Sequence, residues 1–185
     1  MKTFSFLMSF AVIMLFGSFQ VLAEQANYQP SSGGSSGVNH LIERYIDAAK
    51  GFTDAAEEVD DQGLKDTFLK KAEERRKFSE DLQKAMQAAG QKYEQSGSAE
   101  GAAHRAWIDL KSLITDKDDI AVLNAVRTGE EAAVKSYKEV FGEPLTKELR
   151  SSVQDQFDSV FDSYNWVVEE IKNRSKAEVA EEAKE

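Results

Sequence analysis

Four long segments of this 185-residue chain repeat apolar residues at steps of three and four, and no other feature constrains the fold as strongly. This spacing places the apolar side chains on one face of an α-helix, which must then pack against another element. The four stripes cover residues 42–59, 64–89, 120–141 and 149–171. Only two prolines and eleven glycines are available to interrupt helices. The pattern predicts an all-α protein built as a four-helix bundle.

The connections between the stripes predict their order in space. The joints at 60–63 and 142–144 are short, so the helices that they join should be antiparallel neighbours. The connection at 90–116 is long and carries a short amphipathic helix of its own. Such a crossover lets the second and third helices run parallel as neighbours, which is the ferritin-like arrangement. An up-and-down bundle with a bulky loop is the competing topology.

The chain divides into four parts of different composition. Residues 1–23 combine one lysine, an apolar run and small residues before Glu24, which is typical of a signal peptide. Residues 24–37 form a Ser/Gly-rich flexible linker, 38–173 the bundle domain and 174–185 a charged, frayed tail. The order of features at 1–23 predicts export, to the periplasm or outside the cell. An uncleaved membrane anchor is the alternative for this segment.

Charge and cysteine content exclude several functions. Lys and Arg number 23 against 33 Asp and Glu, and the formal net charge is −10. A chain this acidic repels nucleic acid, so we expect no nucleic-acid partner. Contact with a membrane is expected only if the signal segment stays uncleaved. The sequence contains no cysteine, which excludes disulfides, thiolate metal sites and a cysteine nucleophile.

Three polar residues interrupt the stripes where apolar ones are expected. Arg75 lies on the second stripe, Glu130 on the third and Tyr164 on the fourth. A lone buried charge is costly, whereas a paired and hydrogen-bonded one is tolerated. We therefore predict a core ion pair of Arg75 and Glu130, with Tyr164 donating a hydrogen bond to Glu130. This cluster is interpreted either as a layer that sets helix register or as a polar site derived from a lost metal centre.

Parts of the sequence resemble a known family. The resemblance runs from about residue 38 to 171 and is carried by GFTDAAEEVDDQGLKDTFLKKAEERRKFSEDLQ, GAAHRAWIDLKS and RTGEEAAVKSYKEV. These segments are similar to an uncharacterised bacterial family of ferritin-like four-helix proteins, known as a domain of unknown function. The resemblance implies the crossover topology and implies no particular reaction.

A di-iron site can be tested directly against the sequence. Ferritin-like di-iron bundles use a Glu-x-x-His pair on each of two helices. Neither His40 nor His104 has a glutamate three positions earlier. The sequence therefore predicts no metal and no other cofactor. The alternative is a carboxylate site that uses Glu57, Glu74 (or its neighbour Glu73) and Glu130.

Two aromatic positions stand outside this scheme. The crossover could carry a small surface site formed by His104, Arg105 and Trp107. Alternatively, Trp107 anchors the crossover helix to the bundle. Trp166 lies beside the fourth stripe, either facing a partner or at the rim of the core.

Taken together, these features predict a non-enzymatic exported protein. Its role would be an interaction or stress-associated function in the cell envelope, with an unknown protein partner or self-association through the fourth helix. A metal-binding protein for iron or manganese is the alternative.

Overall fold

The structure, a computed structural model, describes residues 34–97 and 118–184, with side chains from residue 36 onward. These residues form four helices and no strand. The helices are α1 (Gly34–Glu58), α2 (Gln62–Ala88), α3 (Asp119–Phe141) and α4 (Lys147–Glu182). The prediction of an all-α four-helix architecture is confirmed. No helix in the described ranges has an apolar stretch that could span a bilayer.

Polar residues before three of the helices explain where they begin. Each of these side chains accepts a hydrogen bond from a backbone N–H in the first turn of its helix. The acceptor is Asp61 for α2 at 2.9 Å, Asp118 for α3 at 2.8 Å and Thr146 for α4 at 3.3 Å. Such N-caps satisfy donors that have no partner within the helix. After α2, Gly90 takes a φ of 66°, a left-handed conformation that glycine adopts without steric cost.

Hydrogen bonds at both ends show that α1 and α3 are antiparallel. The Gly37 N–H, near the start of α1, donates to Glu143 Oε2 just after α3, at 3.3 Å. At the other end, the Asp60 N–H donates to Asp119 Oδ1 at 3.2 Å. A Cβ at Gly37 would lie 2.7 Å from Glu143 Oε1. Glycine at this position therefore leaves room for the Glu143 carboxylate, which would have to move aside for a larger residue.

Helices α2 and α4 are also antiparallel. Arg174, late in α4, binds Asp61 at the start of α2 at 2.8 Å, and Gln156 Nε2 donates to the Phe78 carbonyl at 3.3 Å. The helix pairs in contact are α1–α2, α1–α3, α2–α4 and α3–α4. Helices α2 and α3 therefore run parallel but occupy opposite corners. The prediction that they are neighbours is wrong, because α1 and α4 lie between them.

The buried apolar residues form two clusters along the bundle, with polar residues between them. The first cluster is nearer the start of α1 and consists of Val38, Leu41, Ile42, Tyr45, Leu82, Met86, Tyr137, Val140, Leu149, Val153 and Val160. The second is nearer the end of α1 and consists of Phe52, Ala55, Ala56, Val59, Leu64, Phe68, Ala72, Val122, Leu123, Val126 and Val167. Arg75 and Glu130 lie between the two sets on α2 and α3. The centre of the bundle is therefore a polar layer closed on both sides by apolar packing.

Two predicted boundaries differ from the helix ends. Helix α1 begins at Gly34, inside the segment predicted as linker. Helix α4 continues to Glu182, so the predicted frayed tail is helical. Lys, Ala and Glu dominate this last stretch and are strong helix formers. The bond from Arg174 Nε to Glu170 at 2.9 Å supports the helix across its entry into the tail.

Candidate functional site

A buried ion pair crosses the centre of the bundle. Arg75 is 1% exposed and Glu130 is 3% exposed. Arg75 Nη2 donates to Glu130 Oε2 at 2.8 Å, and this bond joins the opposite helices α2 and α3. A charge-assisted bond in an apolar setting is strong, and each partner needs the other to offset its own desolvation. The two stripe residues are thus brought together across the full width of the bundle.

The same guanidinium binds a second carboxylate. Arg75 Nη1 donates to Glu74 Oε2 at 2.9 Å, and Glu74 Oε1 accepts a 2.6 Å hydrogen bond from Ser159 Oγ on α4. Glu74 is 36% exposed, so this branch leads toward the surface. The guanidinium therefore lies between two carboxylates, and the Glu74–Arg75–Glu130 network links three helices.

Aromatic rings contributed by α1 and α2 complete the surroundings of Arg75. Its guanidinium carbon lies 5.7 Å from the Phe52 ring centroid and 5.5 Å from that of Phe78. Cation–π contacts of this kind are worth about 2 kcal/mol when the cation is desolvated. All four helices thus contribute a side chain to the network. Sequence analysis missed Glu74 as a partner of Arg75, because Glu74 lies off the apolar stripe.

A second polar chain is buried one layer away. The hydroxyls of Tyr45 and Tyr137 are hydrogen-bonded, and Tyr45 also donates to Gln156 Oε1 at 3.0 Å. Gln156 in turn donates to the Phe78 carbonyl. Burial raises the pKa of Tyr137 far above its usual range, so its phenol stays neutral. Both tyrosines fit the apolar spacing of the first and third stripes, whereas no feature of the sequence indicated a role for Gln156.

A third cluster closes one end of the bundle. Arg174 binds Asp61 at 2.8 Å, Asp119 at 3.0 Å and Glu170 at 2.9 Å. The hydrogen bond from Arg174 holds the pKa of Asp61 below its usual range. Burial acts to lower the pKa of Arg174, but its bonds to Asp61 and Glu170 outweigh this and raise it. One side chain thus ties α4 to the first residues of α2 and α3.

Tyr164 does not join the central network. It is partly exposed, and among the described residues Glu130 receives its hydrogen bond from Arg75 and none from Tyr164. The residue of this turn that faces inward is Ser163, which is 1% exposed. Tyr164 lies two turns after Phe157, whose ring contacts Tyr137 and Phe141 of α3, so Tyr164 points toward the α3 side of the surface. The predicted bond to Glu130 is therefore wrong.

The other predicted positions are placed as follows. His104, Arg105 and Trp107 lie outside the described residues. Trp166 is partly buried at the rim of the core, where its ring meets Phe68 edge-on at 6.1 Å. Lys71 Nζ lies 5.2 Å from the Trp166 ring centroid. Burial, together with nearby Arg75, lowers the pKa of Lys71.

The carboxylates proposed as metal ligands do not converge. Glu57 is exposed on α1, whereas Glu74 and Glu130 both bind the guanidinium of Arg75. Within residues 34–97 and 118–184, no group of three or more acidic or histidine side chains has the arrangement of a metal site. His40 is exposed and accepts a bond from Arg44. The described residues therefore do not fit the di-metal centre of ferritin-like proteins.

These observations define a four-helix-bundle protein whose centre is occupied by an arginine–carboxylate network. The sequence profile of DUF2383, a domain of unknown function, matches residues 35–143, which is more than half of the chain. The chain therefore belongs to the DUF2383 family. The match covers α1, α2 and α3 and ends before α4. No curated protein matches the sequence.

Proposed function

We propose that this protein is an exported, non-enzymatic four-helix bundle of ferritin-like topology that acts by binding other proteins at its surface. One observation carries the proposal: the guanidinium of Arg75 lies between Glu74 and Glu130 at the centre of the bundle. A di-metal protein would use carboxylates at such a position to hold its ions. Here the positive charge at that position is a guanidinium of the chain itself.

The surroundings of Arg75 also argue against catalysis. A substrate must reach the reacting groups, and catalytic groups usually line a concave site. The Arg75–Glu130 pair is instead covered by apolar clusters on both sides. Only the Glu74 branch approaches solvent. An interior organised in this way serves stability and helix register, which leaves binding to the outer surface.

Two further points support the ferritin-like and exported character. The parallel direction of α2 and α3 fits a bundle with one long crossover, as in ferritin-like proteins. The charged, apolar and small-residue order of residues 1–23 favours export into the bacterial envelope or beyond. A role in the response to envelope stress is part of the same proposal, and it requires that the amount of protein rises under such stress.

Metal analysis tests the central point. Protein purified without chelator is dialysed against iron(II) or manganese(II) under nitrogen, and bound metal is measured by mass spectrometry. We expect less than roughly one tenth of an equivalent per chain, because the guanidinium occupies the position between the carboxylates. Stoichiometric metal that is lost in Glu130→Gln but kept in Glu139→Gln, an exposed glutamate of α3 outside the candidate ligands, would favour the metal-binding alternative.

Export is tested separately by sequencing the N-terminus of the protein from the envelope and culture fluid of the producing cell. We expect the mature chain to begin at Glu24. Full-length protein confined to the cytoplasm would contradict this part of the proposal and leave the metal result unaffected.

A further inference from the structure

The outer face formed by α3 and α4 carries an aromatic row away from the central network. Phe157 and Phe161, one turn apart on α4, stack at 5.8 Å with an angle of 19° between the rings. Phe141 on α3 meets Phe157 edge-on at 5.6 Å. Phe161 is 43% exposed, and Phe141 and Phe157 are partly exposed. A contiguous exposed apolar patch, unlike a single exposed ring, often marks a place where another molecule binds.

Exposed cations flank this row. Arg127 and Lys138 lie on the same side of α3 as Phe141, about 40–60° from it around the helix, and Arg150 lies two turns before Phe157 on α4. A nearby acid, Glu131, is held by Lys135 at 2.7 Å. Together with Lys135, these exposed cations outnumber the two acids beside the row, Glu131 and Asp158, so on a chain with a net charge of −10 this surface is locally basic as well as apolar. We call it the α3/α4 face.

The end of α4 has the opposite character. Arg174 meets the first residues of α2 and α3, so residues 175–182 extend beyond that end of the bundle, by about 12 Å. This projecting segment carries three glutamates and one lysine. Its Val179 is 65% exposed, more than either of the other large exposed apolar residues, Leu69 and Phe161. The projecting segment is thus a short acidic helix with one free apolar side chain.

We propose that the projecting segment of one copy docks on the α3/α4 face of a second copy. Val179 would contact Phe157 and Phe161, and the glutamates would face the cations at the border. This is helix-in-groove recognition with complementary charge. The inference deepens the proposed surface-binding function and depends on it.

The geometry also sets the kind of assembly. The two contact surfaces lie on different parts of the molecule, so the contact is head-to-tail and leaves one free surface at each end. An eight-residue helix buries far less than the roughly 1,200 Å² of a stable complex. The association is therefore weak, reversible and dependent on salt.

Sedimentation equilibrium of the purified protein, at 10 to 500 μM chain, tests the proposal. At low salt the average mass should rise with concentration beyond one chain, and at 0.5 M NaCl it should return toward one chain. Phe161→Ser and Val179→Ser should each abolish the rise. Leu69→Ser on α2, where the side chain is 45% exposed, is the matched control and should leave the rise unchanged. Circular dichroism at 222 nm checks that each variant is folded.

Mixing the two variants separates head-to-tail docking from other modes. The Phe161→Ser chain keeps its projecting segment, and the Val179→Ser chain keeps its α3/α4 face. The mixture should therefore form pairs that grow no further, although neither variant associates alone. A single-chain mass for the unaltered protein at every concentration would overturn the proposal, as would association that survives Val179→Ser.

Binding to an anionic membrane is the competing use of a basic aromatic face. Co-sedimentation with phosphatidylglycerol vesicles measures it. Vesicle binding that needs Phe161 but not Val179, without self-association, would overturn the proposal in favour of a lipid surface. Neither result changes the outcome of the metal analysis, so failure of this inference can be told apart from failure of the proposed function.

Discussion

Removing Arg75 should destabilise the bundle more than removing Glu130. In Arg75→Met, Glu130 is left 3% exposed without the donor that it has in the structure, and an uncompensated buried charge costs about 3–5 kcal/mol. In Glu130→Met, Arg75 still binds Glu74, whose second oxygen is held by Ser159. We expect a smaller loss there, about 2–3 kcal/mol, which is the range of a lost bond to a charged group together with its desolvation.

The double variant measures the coupling. With both charges replaced by apolar side chains of similar length, neither is buried alone, so the double variant should cost no more than Arg75→Met by itself. The coupling free energy is then at least about 2 kcal/mol. Urea unfolding at pH 7, followed by circular dichroism at 222 nm, gives each free energy of unfolding. Glu57→Gln, at an exposed position, is the control and should change stability by less than about 0.5 kcal/mol.

Additive losses would refute this reasoning. If Arg75→Met and Glu130→Met each cost some stability and the double variant costs their sum, the pair does not act as a unit. A decrease of less than about 1 kcal/mol in the free energy of unfolding of Arg75→Met would also contradict the calculation, because burying a carboxylate without a partner destabilises a protein by more than this.

Three further predictions concern other parts of the bundle. A Cβ at Gly51 or Gly129, both within helices, would contact nothing within 4 Å. Alanine at either position should therefore raise the free energy of unfolding, measured with urea, by about 0.5–1 kcal/mol. A lower free energy of unfolding in both variants would contradict the open space at these positions. Arg174→Met should lower the free energy of unfolding by about 1 kcal/mol at pH 7. Because Arg174 lowers the pKa of Asp61, this stabilisation is fully present above the unfolded-state pKa of about 3.9 and is lost as the pH falls through the lower folded-state pKa. Thermal unfolding at pH 2 should therefore give the same midpoint for the variant and the parent. Burial raises the pKa of Tyr137, so its phenol should not ionise in the folded protein up to pH 11. The absorbance change at 295 nm on titration to pH 11 should then be the same in the parent protein and in Tyr137→Phe. A smaller change in the variant would show that Tyr137 ionises in the folded state.

The helices could be predicted from the spacing of apolar residues, and the central charges could be predicted because they interrupt that spacing. A charged residue such as Arg75 at an apolar position is visible in sequence, and so is Glu130. Their partnership across the bundle was also accessible, since two opposite buried charges need each other. The diagonal placement of α2 and α3 was not accessible, because stripe spacing describes each helix alone and contains nothing about which corner it occupies.

Other partners were missed because steps of three and four residues do not show which of two neighbouring residues faces the core. Gln156 and Phe157 are adjacent, and both fit the steps of three and four from Val153 and Val160. Apolar character favours Phe157 as the residue on the stripe, but Gln156 is the buried one, at 4% exposure. The same ambiguity of about 100° explains why Tyr164 was predicted inside in place of Ser163.

Helix α4 lies beyond the residues that match DUF2383, yet it completes each of the three polar groups inside and at the end of the bundle. Ser159 binds Glu74, Gln156 binds Tyr45, and Arg174 binds Asp61. A fragment cut at Glu143 would expose the apolar sides of three helices to water and leave these acceptors and donors without their fourth-helix partners. Expression of the family-matched segment alone should therefore yield aggregated or protease-sensitive material, and the smallest stable unit has to extend at least through Arg174.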